Sequence, residues 1–256
     1  MSASDFRKKQ LIQLLDENAV MSINELSEIL KVSLPTIRRD LEDLEQKGLI
    51  KRSWGKASLC KEENTSTIPM ASVRADSHWI EKRAIASCAL KLIQEGDSII
   101  LDSGTTTMAL ANQLTAGFKN LTVVTNSLLA INALTDNNFS VQCSGGSLER
   151  RNMCFVGTEA ENFFRSIHVS KAFIGTTSMR IPMGFSTFSP FQGAVKRLMM
   201  NAADKVYYLM DSSKINAHAI SKVADFDEVD AIITDKPFTE DIEEFLKKHK
   251  VNFIYA

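Results

Sequence analysis

No stretch of this 256-residue chain approaches the run of about 18 apolar residues that a membrane-spanning helix needs. Residues 1–10, MSASDFRKKQ, also lack the apolar centre of a secretory signal, so the expectation is a soluble, cytoplasmic protein with no membrane partner. Cysteine is scarce. Cys60, Cys88, Cys143 and Cys154 form no Cys-x-x-Cys pair, which speaks against both a disulfide framework and a thiolate metal site. No metal and no cofactor is expected. Neither sign of charge is in excess: 30 Lys and Arg stand against 31 Asp and Glu, a formal net charge of -1. Nothing global therefore draws the chain to nucleic acid, and any polyanion must be held by a local patch. Sequence repeats and low-complexity tracts are absent as well.

What is present falls into two kinds of pattern, and the length allows two domains. Residues 1–60 carry apolar positions at helical spacing in three short blocks, then a hairpin. The first block runs from Ser4 to Asn18. Ser22 with Glu25 makes a capping box for a second helix, with Ile23, Leu26, Ile29 and Leu30 on one face. Ser33 and Pro35 suit the start of a third helix and Gly48 its end. Residues 49–60, LIKRSWGKASLC, suggest two strands turning near Gly55. Residues 61–77, KEENTSTIPMASVRADS, are polar, contain Pro69 and show no period, which marks a linker. From 78 to 256, strands at 98–101, 121–125, 139–143, 172–176, 206–210, 230–234 and 252–255 alternate with helices over His78–Glu95, from Thr106, from Ser127 and over 192–203. That alternation predicts an α/β, mainly parallel, doubly wound sheet.

In SLPTIRRDLEDLEQKGLI, residues 33–50, Leu34, Ile37, Leu41 and Leu44 form the expected buried stripe, and every other position is expected to face out. Thr36, Arg38 and Arg39 occupy the N-terminal half, where the helix dipole favours phosphate. Asp40, Glu42, Asp43 and Glu45 occupy the other. Three helices with a tight turn before the third fit a helix-turn-helix, whose second motif helix enters the major groove by its N-terminal end. The plain alternative is a solvated helix laced by Arg38–Glu42, Arg39–Asp43 and Asp43–Lys47 pairs. The hairpin tips the balance, because residues 46–60 contain Lys47, Lys51, Arg52 and Lys56 and no acid. Such a basic wing offers Lys51, Arg52 and Lys56 to a DNA backbone; Trp54 either rests on that backbone or packs on its own domain. The run VSLPTIRRDLEDLEQKGLIKR, ending at Arg52, resembles the winged helix-turn-helix of the DeoR family of bacterial transcription regulators. The resemblance places Ser33, Pro35, Thr36, Arg38 and Arg39 on the recognition helix. Where the family usually has a His-Gly-Gly turn, this wing has Trp54, Gly55 and Lys56.

In SIILDSGTTTMALANQL an apolar strand ends at Asp102, and Ser103–Thr107 opens a helix with hydroxyls and a glycine, as a phosphate cradle would. LTVVTNS repeats the arrangement at Thr125, Asn126 and Ser127. Both loops fall at C-terminal strand ends, where open α/β sheets bind ligands, although helix capping accounts for either loop alone. Gly145, Gly146, Lys196, Asp211 and Lys214 are further candidates: a lysine supplies a point charge for phosphate, and Asp102 or Asp211 accepts sugar hydroxyls. LDSGTTT, VVTNS, SGG, AFIG and MDSSK stand in the order of the DeoR sensor domain, which is similar in fold to ribose-5-phosphate isomerase. The resemblance implies a phosphorylated-sugar effector lined by Asp102, Ser103, Gly104, Thr105, Thr106, Thr107, Thr125, Asn126, Gly145, Gly146, Lys196, Asp211 and Lys214. Gln192 stands where a glutamate is usual, and Thr176 and Thr177 where Ala-Asp is usual, which implies altered hydroxyl recognition.

The expectation is thus an α+β winged head on residues 1–60, a linker, and an α/β sensor on 78–256. The expected function is repression of a carbohydrate operon by a homodimer or homotetramer on double-stranded DNA, relieved by a sugar phosphate. The competing expectation is a sugar-phosphate isomerase with a helical appendage; the neutral amide of Gln192, where a carboxylate base is the obvious candidate, disfavours it but leaves Asp102 and Asp211 as alternative bases.

Overall fold

The computed structural model describes residues 3–18, 20–46, 49–53, 55–59, 71–114 and 117–256; expectations for Lys47, Gly48, Trp54 and residues 60–70 lie outside them. Two units separate, Met1–Trp79 and Ile80–Ala256.

The first unit contains α1 (Ala3–Asn18), β1 (Val20–Ser22), α2 (Ile23–Leu30), α3 (Leu34–Gln46), β2 (Ile50–Ser53) and β3 (Lys56–Leu59). Ser22 starts α2 by a reciprocal cap: its hydroxyl accepts from the Glu25 amide and its own amide donates to the Glu25 carboxylate. Lys31 caps α2 in a left-handed conformation at φ 52°, so only Lys31, Val32 and Ser33 lie between α2 and α3. The antiparallel strands lie in the order β1-β3-β2, which adds a third strand to the expected hairpin. Leu11, Leu15, Leu26, Ile37, Leu41, Leu44, Ile50 and Leu59 share one core.

The structure departs from the sequence pattern at Leu34, Ile29, Asp40 and the linker. Leu34 is 37 % exposed and Ile29 52 % exposed. Leu34 is the first residue of α3, beyond the packed stripe, and Ile23, Leu26 and Leu30 already fill the inner face of α2. Asp40 faces in rather than out, for reasons given below. Part of the supposed linker is helical: α4 (Ala71–Asp76) is followed by a return to α1, where Phe6 meets Trp79 edge-on at 5.3 Å and Lys9 lies 3.7 Å from Asp76. A single helical turn is too short to show periodicity and takes its stability from such packing.

The second unit follows from α5 (Trp79–Leu90). Its strands are β4 (Ser98–Leu101), β5 (Thr122–Thr125), β6 (Ser140–Cys143), β7 (Ser147–Glu149), β8 (Cys154–Val156), β9 (Val169–Gly175), β10 (Ser178–Arg180), β11 (Gly184–Thr187), β12 (Ala203–Leu209), β13 (Ser221–Ala224), β14 (Ala231–Thr234) and β15 (Asn252–Tyr255). Its further helices are α6 (Thr105–Ala111), α7 (Leu128–Leu134), α8 (Thr158–Arg165), α9 (Pro190–Asn201) and α10 (Glu240–Lys248). Seven strands form one sheet in the order β15-β14-β12-β9-β4-β5-β6, every pairing parallel.

Alternate residues feed opposite cores. Ile99, Leu101, Phe173 and Ile233 join α5, α6 and α7 on one face, while Ile100, Ala172, Ile174, Tyr208 and Ile232 join α8, α9 and α10 on the other. The chain winds from β4 out to β6, then returns to the other side of β4 with β9. Open α/β sheets bind ligands at such a reversal, which here falls between the loops after β4 and β9. Two smaller antiparallel sheets, β10-β11-β13 and the β7–β8 hairpin, were not expected from the sequence pattern. Among the described residues, no helix is long and apolar enough to cross a membrane, and no cluster of His, Cys, Asp and Glu is arranged to hold a metal ion.

Candidate functional site

On α3, Ser33, Pro35, Arg38 and Arg39 are exposed and Thr36 is half-buried; the Ser33 and Thr36 hydroxyls hydrogen-bond each other at 2.9 Å. The acids behind them are matched from within the head. Asp40 accepts from the Arg7 guanidinium and, at 3.2 Å, from the Ser4 hydroxyl, and Asp43 pairs with Lys8. Glu45 accepts from Arg52 Nε at 2.8 Å and from the Arg52 backbone amide at 2.9 Å, with Glu42 3.3 Å from the same guanidinium. Hydrogen bonds from Arg52 hold the Glu45 carboxyl below its usual range, and the hydrogen bond to Asp40 raises the Arg7 guanidinium. Asp40 can be buried because that partner comes with it. The expected Arg38–Glu42 and Arg39–Asp43 pairs do not form, and neither arginine has a side-chain partner among the described residues.

Strand register sorts the wing. Ile50 pairs with Leu59 and Arg52 with Ala57 on the face toward the core, whereas Lys51 opposite Ser58 and Lys56 opposite Ser53 alternate to the other face. Arg52 therefore turns back onto α3 instead of outward, while Lys51 and Lys56 are exposed.

At the sheet's switch point, Asp102 is 1 % exposed and accepts four hydrogen bonds. Oδ1 takes the Gly104 amide and the Thr107 hydroxyl, both at 2.7 Å; Oδ2 takes the Gly175 amide at 3.0 Å and the Lys196 ammonium. Lys196, 7 % exposed on α9, also donates to the Gly175 carbonyl at 2.8 Å. The loops after β4 and β9 touch through glycines: a Cβ on Gly104 would stand 3.0 Å from Asp102 Oδ1 and 3.4 Å from Gly175 Cα. Gly104 also serves as the N-cap of α6 and supplies no side-chain acceptor, so the first-turn amides lack a cap. By contrast, Ser127 caps α7 and Ser189 caps α9. The Thr105 and Thr106 hydroxyls have no hydrogen-bond partner among the described residues.

Other expected residues turn inward. The Thr125 hydroxyl donates to the Leu101 carbonyl at 2.6 Å and accepts from the Ser127 amide. Gly146, at φ +113°, lies against β8, where a Cβ would stand 2.7 Å from the Val156 carbonyl; Gly145 is the turn before it. Asp211 caps the turn Ser212–Lys214 through the Ser213 amide and hydroxyl and sits 3.7 Å from Lys214. Thr176 spends its hydroxyl on the Ser178 and Ser186 carbonyls, and Thr177 faces Thr187.

Gln192 on α9 also gathers residues that sequence did not single out as a group. Gln192 Nε2 donates to Glu149 on β7 and lies 3.6 Å from Cys154 Sγ on β8, whose thiol donates to the same carboxylate at 3.6 Å. Burial is the main cause pushing the Cys154 thiol up to about 12. No local pattern announces this group; only the departure at Gln192 pointed to it.

Residues 7–63 match the DeoR-like helix-turn-helix domain and residues 77–236 the DeoR C terminal sensor domain. The regulator GolR of Listeria innocua is 34% identical over 230 residues, 90% of this chain and 89% of its own. The transcriptional repressor AccR of Agrobacterium fabrum is 32% identical over 252 residues, 98% of this chain and 96% of its own. Among solved structures, ribose 5-phosphate isomerase A from Methanocaldococcus jannaschii is similar at a TM-score of 0.40 and 16% identity, over 54% of this chain and 55% of its own. The sequence relatives are regulators, not enzymes, so the isomerase reading is set aside. With a winged head and a sensor domain matched in order, the chain belongs to the DeoR family of transcriptional regulators.

Proposed function

We propose that this DeoR-type repressor silences a carbohydrate-utilisation operon and releases it when a phosphorylated sugar binds the switch-point crevice. The N-terminal half of α3 enters the major groove, with Ser33, Pro35, Thr36, Arg38 and Arg39 toward base edges and phosphates, and Lys51 and Lys56 grip the flanking backbone. The observation that carries this reading is the internal matching of Asp40, Glu42, Asp43 and Glu45, which leaves Arg38 and Arg39 as uncommitted charge on α3. Two heads, in a homodimer or a pair of dimers, read a symmetric site. In the sensor, Ser103, Thr105, Thr106, the uncapped α6 amides and Lys196 offer donors to a phosphate, and Asp102 fixes the lysine. Binding that favours one arrangement of the assembled heads over another shifts the population away from the operator-bound state.

The test is fluorescence anisotropy on duplex DNA from upstream of the protein's own gene, titrated with sugar phosphates. Arg38→Ala with Arg39→Ala removes specific binding, and Lys196→Ala keeps DNA binding but loses the response. Undiminished operator affinity in the double variant, or an undiminished response in Lys196→Ala, would refute the corresponding half.

A further inference from the structure

The β7–β8 hairpin brings an unassigned carboxylate to the crevice. Glu149 accepts hydrogen bonds from the Gln192 amide and, at 3.6 Å, from the Cys154 thiol, both neutral donors. It has no cationic partner among the described residues. Gln192 lies one helical turn before Lys196 on α9, so both side chains leave the same face of that helix.

A second acceptor lies on the same side. Asn126, 2 % exposed, donates through Nδ2 to the Phe155 carbonyl of β8 at 2.8 Å, which leaves its covered Oδ1 with no donor among the described residues. A buried acceptor in that condition is uncommon and is relieved by any donor brought to it. The crevice is therefore polarised: amides, hydroxyls and an ammonium on the α6 and α9 side, a carboxylate and an amide oxygen on the hairpin side.

Resting on the reading of this crevice as a sugar-phosphate site, we propose that Glu149, positioned by Gln192, and Asn126 form its specificity wall. They select effectors whose carbons remote from the phosphate carry hydrogen-bond donors, with a protonated amine favoured over a hydroxyl. A half-buried carboxylate held only by neutral donors gains most from a cation. An anionic sugar acid would meet like charge there and is rejected.

The experiment is isothermal titration calorimetry of the full chain with glucosamine 6-phosphate, galactosamine 6-phosphate, the parent hexose 6-phosphates, 6-phosphogluconate and inorganic phosphate. Wild type is expected to bind an amino sugar phosphate about tenfold more tightly than its parent hexose phosphate, the usual gap between a charged and a neutral hydrogen bond. It should bind 6-phosphogluconate most weakly of the sugars. Glu149→Gln, which keeps an acceptor for Gln192 but loses the charge, brings the amine-to-hydroxyl ratio to near one. The ratio is the readout because a general loosening weakens both probes alike. Binding without preference in wild type, or a preference that survives in Glu149→Gln, overturns the specificity wall and leaves the sugar-phosphate reading standing. No binding by any of these phosphates overturns both.

Discussion

Asp102 and Lys196 form a buried ion pair whose two halves are supported unequally, so the two single variants should differ in a predictable order. Removing one partner of such a pair costs about 3–5 kcal/mol, because the other charge is stranded away from water. In Lys196→Met, the Asp102 carboxylate keeps the Gly104 amide, the Gly175 amide and the Thr107 hydroxyl, which places the loss near the lower figure. In Asp102→Asn, either orientation of the new amide sets its NH2 group against a backbone amide, that of Gly104 or that of Gly175, and the buried Lys196 loses its carboxylate while keeping the Gly175 carbonyl. Its loss lies near the upper figure. For a unit of this size each kcal/mol moves the melting temperature by about 2–4 °C. Lys196→Met is thus expected to lower the sensor transition by about 6–12 °C and Asp102→Asn by about 10–20 °C. The double variant should lose less than the sum, since each change relieves the charge the other strands. Differential scanning calorimetry of the full chain measures all three. Equal losses, a reversed order or strict additivity would show that the pair is not the internally supported unit described here.

The Cys154 thiol, pushed up to about 12 chiefly by burial, should resist iodoacetamide at pH 8 in the native protein while exposed Cys143 reacts. Peptide mapping decides it, and equal labelling of the two would contradict the packing of β8. Glu45 titrates below its ordinary value because Arg52 binds its ionised form, so its contribution is full above about pH 4.5 and is lost as pH falls through the lowered folded value. Thermal stability between pH 5 and 3 should accordingly fall more steeply in wild type than in Arg52→Ala; parallel profiles would remove Arg52 from that role.

Much of this fold was legible locally. The Ser22–Glu25 cap, the strand ending at Asp102 and the alternation of strands with helices are written within windows of a few residues, and the elements stand where those windows place them. What was not legible depends on partners far along the chain. Arg7 and Lys8 neutralise Asp40 and Asp43 from another helix, and whether Arg52 faces DNA or α3 is settled by its register opposite Ala57. The β7–β8 hairpin has three-residue strands, too short for alternation to declare itself, yet it brings Glu149 to Gln192 across 43 positions. The crevice was visible as a set of loops, but its hairpin wall was not.

The central claim is that cations left free on the head grip duplex phosphates although the whole chain has a net charge of -1. The dependence of operator affinity on salt, compared among wild type, Lys51→Ala with Lys56→Ala, and Arg52→Ala, tests it most directly. Each lost phosphate contact reduces the log–log slope by about 0.9, so the double lysine variant, which removes two contacts from each of two heads, should be shallower by about 3.6, while Arg52→Ala keeps the wild-type slope. An unchanged slope in the lysine variant, or an equal reduction in Arg52→Ala, would contradict the account.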